Sequence, residues 1–564
     1  MLLLITEFRG MAPRLNPEQL ADGLSVTATN VDLSETLQGW CSPLDLSQVV
    51  PTAATHLFHY AETYWFSWDT PTQAIEAPLL NDPFKTVIIT DGDFPKVTRL
   101  DIATGGSVFP NIAYRLGLPE PGVVTHTVDN NELYSGPSSG DSDYDGTDLD
   151  DFTTSYKITF IDIWGRESVA SFASENATIR EYEGQMVLKV TLTFPAVPTG
   201  YPLLGDGSQF RIYRLNNSST GQGIYQFLAD VDSAESTYVD RLTSADLQEG
   251  LFADDWLPPP DDNLTNFPNG PLQHICVLSE AFLGGHNDKM VCFSEPRVTH
   301  AWPSEYYMVF AEKIICTVNY GADMVVLTND HPYIVSGVSP ASISRVRLAS
   351  PAPAINSEAV VEVAGAVFYA GKRGLYVIDG NQVILASETF YDAKQWRALQ
   401  PTTMRFLRHQ DNLVIKLFDG RILMFDPTNP TGGFTSVELD TKALHNDPQS
   451  ESLVYSDASG NLFEFDGGSE NMAVTFESKH YRFHDPKSMY VGRVRANSYP
   501  VDVEFVTERR NGNQYSTVRT VTDDTFFYLE TKSEAVEFFM RVAGDVDIRS
   551  IGWASSIQEL NADV

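Results

Sequence analysis

Few residues in this chain of 564 fall into spacings that could do chemistry. Gly136–Gly140 reads GPSSG, the G-x-S-x-G string that can expose a nucleophilic serine, here Ser138, on a strand-to-helix turn. No helical pattern follows it, so the string reads as a Ser/Gly/Asp loop. Directly behind it, DSDYDG places Asp141, Asp143 and Asp145 at alternate positions before Gly146, the first half of a calcium loop. The twelfth position, where a bidentate Glu belongs, is Phe152, with Asp148, Asp150 and Asp151 nearby as substitutes. Calcium at Asp141, Asp143 and Asp145 is the one metal site the sequence offers, and a solvated acidic loop is the plain alternative. His480 and His484 are four apart in a segment patterned as strand, which sets them roughly 13 Å apart along the chain, too far to share a metal. Zinc binding by paired histidines at that spacing needs a helix, and the Glu of HExxH is absent. Ser456–Gly460 only approximates a sialidase-type Asp box. Neither a Walker loop nor a G-x-G-x-x-G string occurs. The reading is therefore no catalytic residue, no organic cofactor and no enzyme.

The elements around these residues are strands. One pattern, an apolar run, a polar turn and a second apolar run, recurs five times, starting at Phe282, Val325, Val367, Leu413 and Leu453. Turns rich in Gly, Asn and Asp supply the positive φ that hairpins need, and β-branched and aromatic runs suit strands. A hairpin about every 40–50 residues marks propeller blades, the alternative being an open sandwich meander, which also spaces strands evenly. Around the third copy four strands can be read, from Val360, Val367, Leu375 and Gln382, which make one whole blade. The runs are apolar at nearly every position, as expected of a sheet covered on both faces by neighbouring blades. HLFHYAETYWFSW (His56–Trp68) and TVIITDGDFPKVTRL (Thr86–Leu100) are two more hairpins that together could make another blade.

The chain divides accordingly. Residues 1–44 read as an N-terminal arm or platform, 45–104 as the first part of the propeller and 105–260 as an inserted fibronectin- or immunoglobulin-like sandwich. Residues 261–478 carry the propeller repeats, and 479–564 a C-terminal β-rich platform with a hairpin turn at Asn511-Gly512. The fold class is all-β, a discontinuous propeller interrupted by a sandwich.

Composition narrows the function. Seventy-five Asp and Glu against 38 Lys and Arg give a formal charge of −37, a surface that repels phosphate backbones and disfavours tight nucleic-acid binding. The four cysteines, Cys41, Cys276, Cys292 and Cys316, stand at no metal-ligand spacing and are too few for a disulfide framework. The opening MLLLI is too short for a secretory signal or a membrane span, so synthesis and assembly in a cytosol are expected.

Two stretches resemble a known family. Phe8–Trp40, with APRL at Ala12–Leu15 and ATNVDL at Ala28–Leu33, looks like the N-terminus of bacteriophage tail-nozzle proteins, the tail tubular protein B group. CFSEPRVTHAWPSEY (Cys292–Tyr306), followed by VVLTNDHPYIVSGVSPASIS (Val325–Ser344), resembles the same group, as does the order of the domains. The resemblance implies a structural virion protein of a short-tailed phage, made in the host cytoplasm. Its subunits form a ring, six in such phages, below the portal and adaptor (head–tail connector), enclose the DNA exit channel without specific DNA binding, and dock tail fibres or spikes. It carries over no catalytic residue and no membrane anchor. The alternative from another class is a host-glycan-binding or glycan-cleaving propeller for attachment, for which Trp65, Trp68, Trp302 and Trp396 could supply aromatic platforms.

Overall fold

A computed structural model describes residues 2–32, 36–129, 149–182, 185–186, 189–217, 223–447, 450–529 and 534–561. The fold is all-β; the α-helices among the described residues are the short pieces Leu100–Ala103, Ala393–Ala398 and Ile557–Asn561. The chain forms two compact units. The first comprises 1–71, 312–335 and 345–564, the second 72–311 and 336–344.

Each of the five repeats is an antiparallel hairpin inside a larger sheet. The third pairs Val360–Val363, Ala366–Ala370, Leu375–Asp379 and Gln382–Leu385 in order, the blade expected from the sequence. In the first unit the opening strands of successive copies, Ile314–Tyr320, Val360–Val363, Arg405–His409 and Leu444–Asn446, lie beside one another in turn. Sheets that meet along their inner strands in this way are stacked as propeller blades. Side-chain alternation explains the unbroken apolar runs. In Ala366–Ala370, Val367 and Tyr369 join Val325, Leu327 and Ile378 in one core, while Phe368 and Ala370 join Trp396, Leu413 and Phe425 in the next. Both faces of the strand are therefore dry.

One expectation is corrected. The hairpins His56–Trp68 and Thr86–Leu100 do not share a blade. The first closes the sheet of the fifth copy, where His56 pairs in parallel with Leu444 and Leu57 and Trp65 pack with Val454 and Leu462. The second belongs to a separate sheet in the other unit, Gln73–Glu76, Val87–Thr90, Lys96–Thr98 and Tyr114–Arg115. The first hairpin covers an apolar face against the last blade, and the 45–104 segment divides after Pro71.

Within the second unit, the region expected to be a sandwich builds three ladders around one core. These are Thr125–Asp129 with Lys189–Thr193 and Thr237–Asp240; Leu149–Thr154 with Ala177–Tyr182 and Gln185–Met186; and Tyr156–Ile161 with Gln209–Asn217 and Gly223–Asp232. Tyr156, Ile158, Phe160, Val190, Leu192 and Phe210 fill it. Arg214 and Asp240 are wholly buried there, 2.8 Å apart, and the Tyr156 hydroxyl donates to the same carboxylate at 2.8 Å.

The N-terminal segment is woven into the first unit. Leu2–Ile5 pairs with Asp547–Ala554. Ser25–Thr29 lies between Phe434–Val437 of the fourth copy and Val474–Ser478, which pairs in turn with Ala535–Gly544 of the C-terminal platform, so that blade and platform share one ten-stranded sheet. The Asn511-Gly512 hairpin is present. Val501–Glu508 and Gln514–Val521 pair throughout, closed by a loop in which Gly512 takes φ +80°.

Candidate functional site

In the first unit, ionisable side chains gather on the inner strands of the blades. His56 and His59 come from His56–Tyr60, Arg405 from Arg405–His409 and His445 from Leu444–Asn446, while Glu358 stands just before Val360–Val363. His56 Nε2 lies 2.9 Å from Glu358 Oε1, and its Nδ1 lies 3.0 Å from the Thr55 hydroxyl. The Arg405 guanidinium donates to the Thr55 carbonyl at 2.7 Å, and Lys416 Nζ donates to the carbonyls of Thr441 and Lys442, each at 2.9 Å. His59 stacks on Trp65 at 4.5 Å and places Nδ1 3.2 Å from Asp447 Oδ2. Its backbone N–H donates to His445 Nε2 at 3.3 Å.

Desolvation sets the charge states, because removing water penalises the ionised form. Burial takes His445 down to about 3 and Lys416 down to about 8. It also lowers His56, against the opposing hydrogen bond from Glu358. His445 is therefore neutral and serves as an acceptor. Two of these bonds cross between blades: His56, in the hairpin that closes the fifth copy, meets Glu358, which leads into the third, and Arg405, which opens the fourth, donates to Thr55 beside His56. The cluster can seal the blades together; its nitrogens are committed to neighbours rather than aimed at a substrate.

The second unit holds a cavity of about 690 Å³ where the crossings Arg115–Gly122 and Leu257–Phe267 run side by side. Arg115 Nη1 sits 2.6 Å from Asp262 Oδ1 and 3.3 Å from Asp261 Oδ2, over the face of Phe94 at 3.7 Å. The hydrogen bond to Asp262 raises the Arg115 pKa. Burial raises Glu120, Asp261 and Tyr201 on the same walls. Phe172 is 73% exposed at the rim. An aromatic rim above carboxyl, guanidinium and phenol groups has the chemistry to hold a neutral polyhydroxylated ligand. Sequence reading missed this cavity, because its walls come from two proline-rich crossings that the sequence shows only as linkers.

The residues singled out from the sequence are scattered. Ser138 and the calcium candidates Asp141, Asp143 and Asp145 lie outside the described residues. Of the nearby substitutes, Asp151 pairs with Arg180 at 2.6 Å. His480 bridges Glu537 at 2.6 Å and Glu477 at 3.1 Å, while the His484 carbonyl accepts from Arg510. Among the described residues no three His, Cys, Asp or Glu side chains converge to hold a metal. The four cysteines are free thiols; three are buried, and burial pushes Cys292 well above its ordinary pKa. The tryptophans form no shared platform. Trp302 and Trp396 are fully buried and donate to the carbonyls of Thr299 and Gly371, and Trp65 lies under His59.

No protein-family model and no curated protein matches the chain. Among solved structures, it is similar to an exo-beta-1,3-galactanase from Phanerochaete chrysosporium with galactose at 9% identity, covering 65% of this chain and 78% of that one, with a TM-score of 0.17. It is also similar to the extracellular domain of a putative hybrid two component system from B. thetaiotaomicron at 7% identity, covering 88% of this chain and 48% of that one, with a TM-score of 0.21. Likeness at these scores assigns neither activity nor ligand to this chain. No helix among the described residues is long and apolar enough to cross a membrane.

Proposed function

We propose that the chain is a structural virion subunit of the tail-nozzle type, one copy in a ring that encloses the DNA exit channel of a short-tailed phage. The observation that supports this most is the strand Ser25–Thr29, which joins a propeller blade to the C-terminal platform in one continuous sheet. A wall that keeps its shape while DNA passes needs a subunit with few internal hinges, and a shared hydrogen-bond ladder removes one. That strand lies within Phe8–Trp40, the stretch that resembles the nozzle group. The centre of a propeller is a narrow channel, so in this reading DNA passes between copies rather than through one. A formal charge of −37 per copy suits a wall that must release phosphates. The test is to mix the assembled protein with duplex DNA at moderate salt and to locate it by electron microscopy in virions. Absence of retention and density on the tail axis are expected. Tight, salt-sensitive binding, or density off that axis, overturns the reading.

The cavity beside Arg115 favours a second reading, a glycan-binding attachment protein. Saturable binding of a glycan that Tyr201→Ala abolishes would select it over the nozzle.

A further inference from the structure

The free N–H and C=O groups of an edge strand will pair with any chain that reaches them, and proteins blunt such edges with proline, bulges, lysine or short strands. The edges of the first unit mostly follow this rule. Tyr481–Lys487 contains Pro486 and breaks register after Arg482. Leu44–Val49 holds Ser47 at φ +54° and breaks register with its partner between Asn461 and Phe463. Gln382–Leu385, the outer strand of the third copy, has four residues.

Gln514–Val521 has none of these devices. It runs eight residues in unbroken register with Val501–Glu508, contains neither proline nor lysine, and ends the ten-stranded sheet with no partner on its outer side among the described residues. Two of its apolar side chains are open as well, Tyr515 at 48% and Val518 at 64% exposure, while Val521 at its end is buried.

Charge indicates what covers it. Across residues 501–521, Asp502, Glu504 and Glu508 are balanced by Arg509, Arg510 and Arg519, in a chain whose total is −37. Two such chains repel over most of their surfaces. They meet with least cost at a neutral hairpin that offers backbone donors, two apolar side chains and an Arg-Arg tip to an acidic neighbour.

We propose that a second copy of this chain docks along the outer edge of Gln514–Val521, adding an extended segment to the ten-stranded sheet; the identity of the occupant rests on the ring reading above. The contact is the wall-to-wall interface, with main-chain hydrogen bonds supplying affinity and Tyr515 and Val518 filling the seam.

The experiment is sedimentation velocity over a concentration series on three full-length proteins. They are the wild type, the double variant Tyr515→Glu/Val518→Glu, and a control of equal added charge, Leu80→Glu/Val338→Glu, at sites 79% and 82% exposed elsewhere. The expected result is an oligomer for wild type and control and a monomer for the edge variant, with the same β-sheet circular-dichroism spectrum in all three. An edge variant that assembles like the wild type overturns the docking edge and leaves the ring reading standing. A wild type that stays monomeric at every concentration overturns the docking edge and counts against the ring as well.

Discussion

At the residue scale, the side chains that look most chemical in this protein act as ties, and their charge is set by partners and burial. His480 shows this most clearly. Its ring stacks on Phe539 at 3.9 Å, and both nitrogens face carboxylates, of Glu537 and Glu477. Burial by itself would lower its pKa, but the hydrogen bonds to Glu477 and Glu537 outweigh that and hold it above the ordinary value. A raised folded-state pKa means that the stabilisation is complete below the unfolded value, about 6.5. It is lost as pH rises through the folded value. Melting temperature should therefore fall from mildly acid to mildly alkaline pH in the wild type, and His480→Gln should flatten that slope. At acid pH the variant should be less stable by about 1.5–3 kcal/mol, the worth of a hydrogen bond to a charged group. Parallel pH–melting profiles of the two proteins would show that His480 carries no such linkage.

At the element scale, the first unit depends on one thread passing between blade and platform. The thread is latched by backbone contact at Gly10 and Gly433. Met11 N–H donates to the Phe434 carbonyl at 2.7 Å, and Phe434 N–H donates back to the Met11 carbonyl at 3.1 Å. Gly433 takes φ +80°, and a Cβ there would sit 2.8 Å from the Gly10 carbonyl carbon. Two reasons therefore require glycine, a left-handed backbone and an approach too close for a side chain. Gly433→Ala should lower stability by more than about 1 kcal/mol, beyond the range of a tolerated Gly-to-Ala change. The readout is the urea midpoint, together with faster protease cleavage in the first 30 or so residues as the thread loosens. An unchanged midpoint would mean that the latch contributes little.

At the scale of the whole molecule, charge governs association. Copies carrying −37 each repel, and that repulsion is screened over a Debye length of about 10 Å at 0.1 M salt and about 3 Å at 1 M. A contact made of main-chain hydrogen bonds and apolar side chains is less sensitive to salt than the repulsion opposing it. Self-association should therefore strengthen as sodium chloride is raised, which light scattering at fixed protein concentration can follow. Weakening with salt would point to an interface held by ion pairs.

The sequence by itself determined the strand repeats, the sandwich in the middle and the β-rich end. These rest on local signals: side-chain alternation, turn residues with positive φ, and a fixed hairpin period. VVEV, VFYA, LYVID and QVIL read as one blade and fold as one, because each strand pairs with its neighbour in sequence. Only the tertiary structure decided which distant segments complete a sheet. His56–Trp68 closes the last blade almost 400 residues later, and Ser25–Thr29 enters a sheet between strands more than 400 residues away. Long-range pairing is set by which unsatisfied edge and uncovered apolar face remain once local hairpins have formed, and no local pattern encodes that remainder. The same reason hid the cavity at Arg115, whose walls are more than 100 residues apart in the chain, and the part-buried His56–Glu358 contact, whose partners are 302 residues apart.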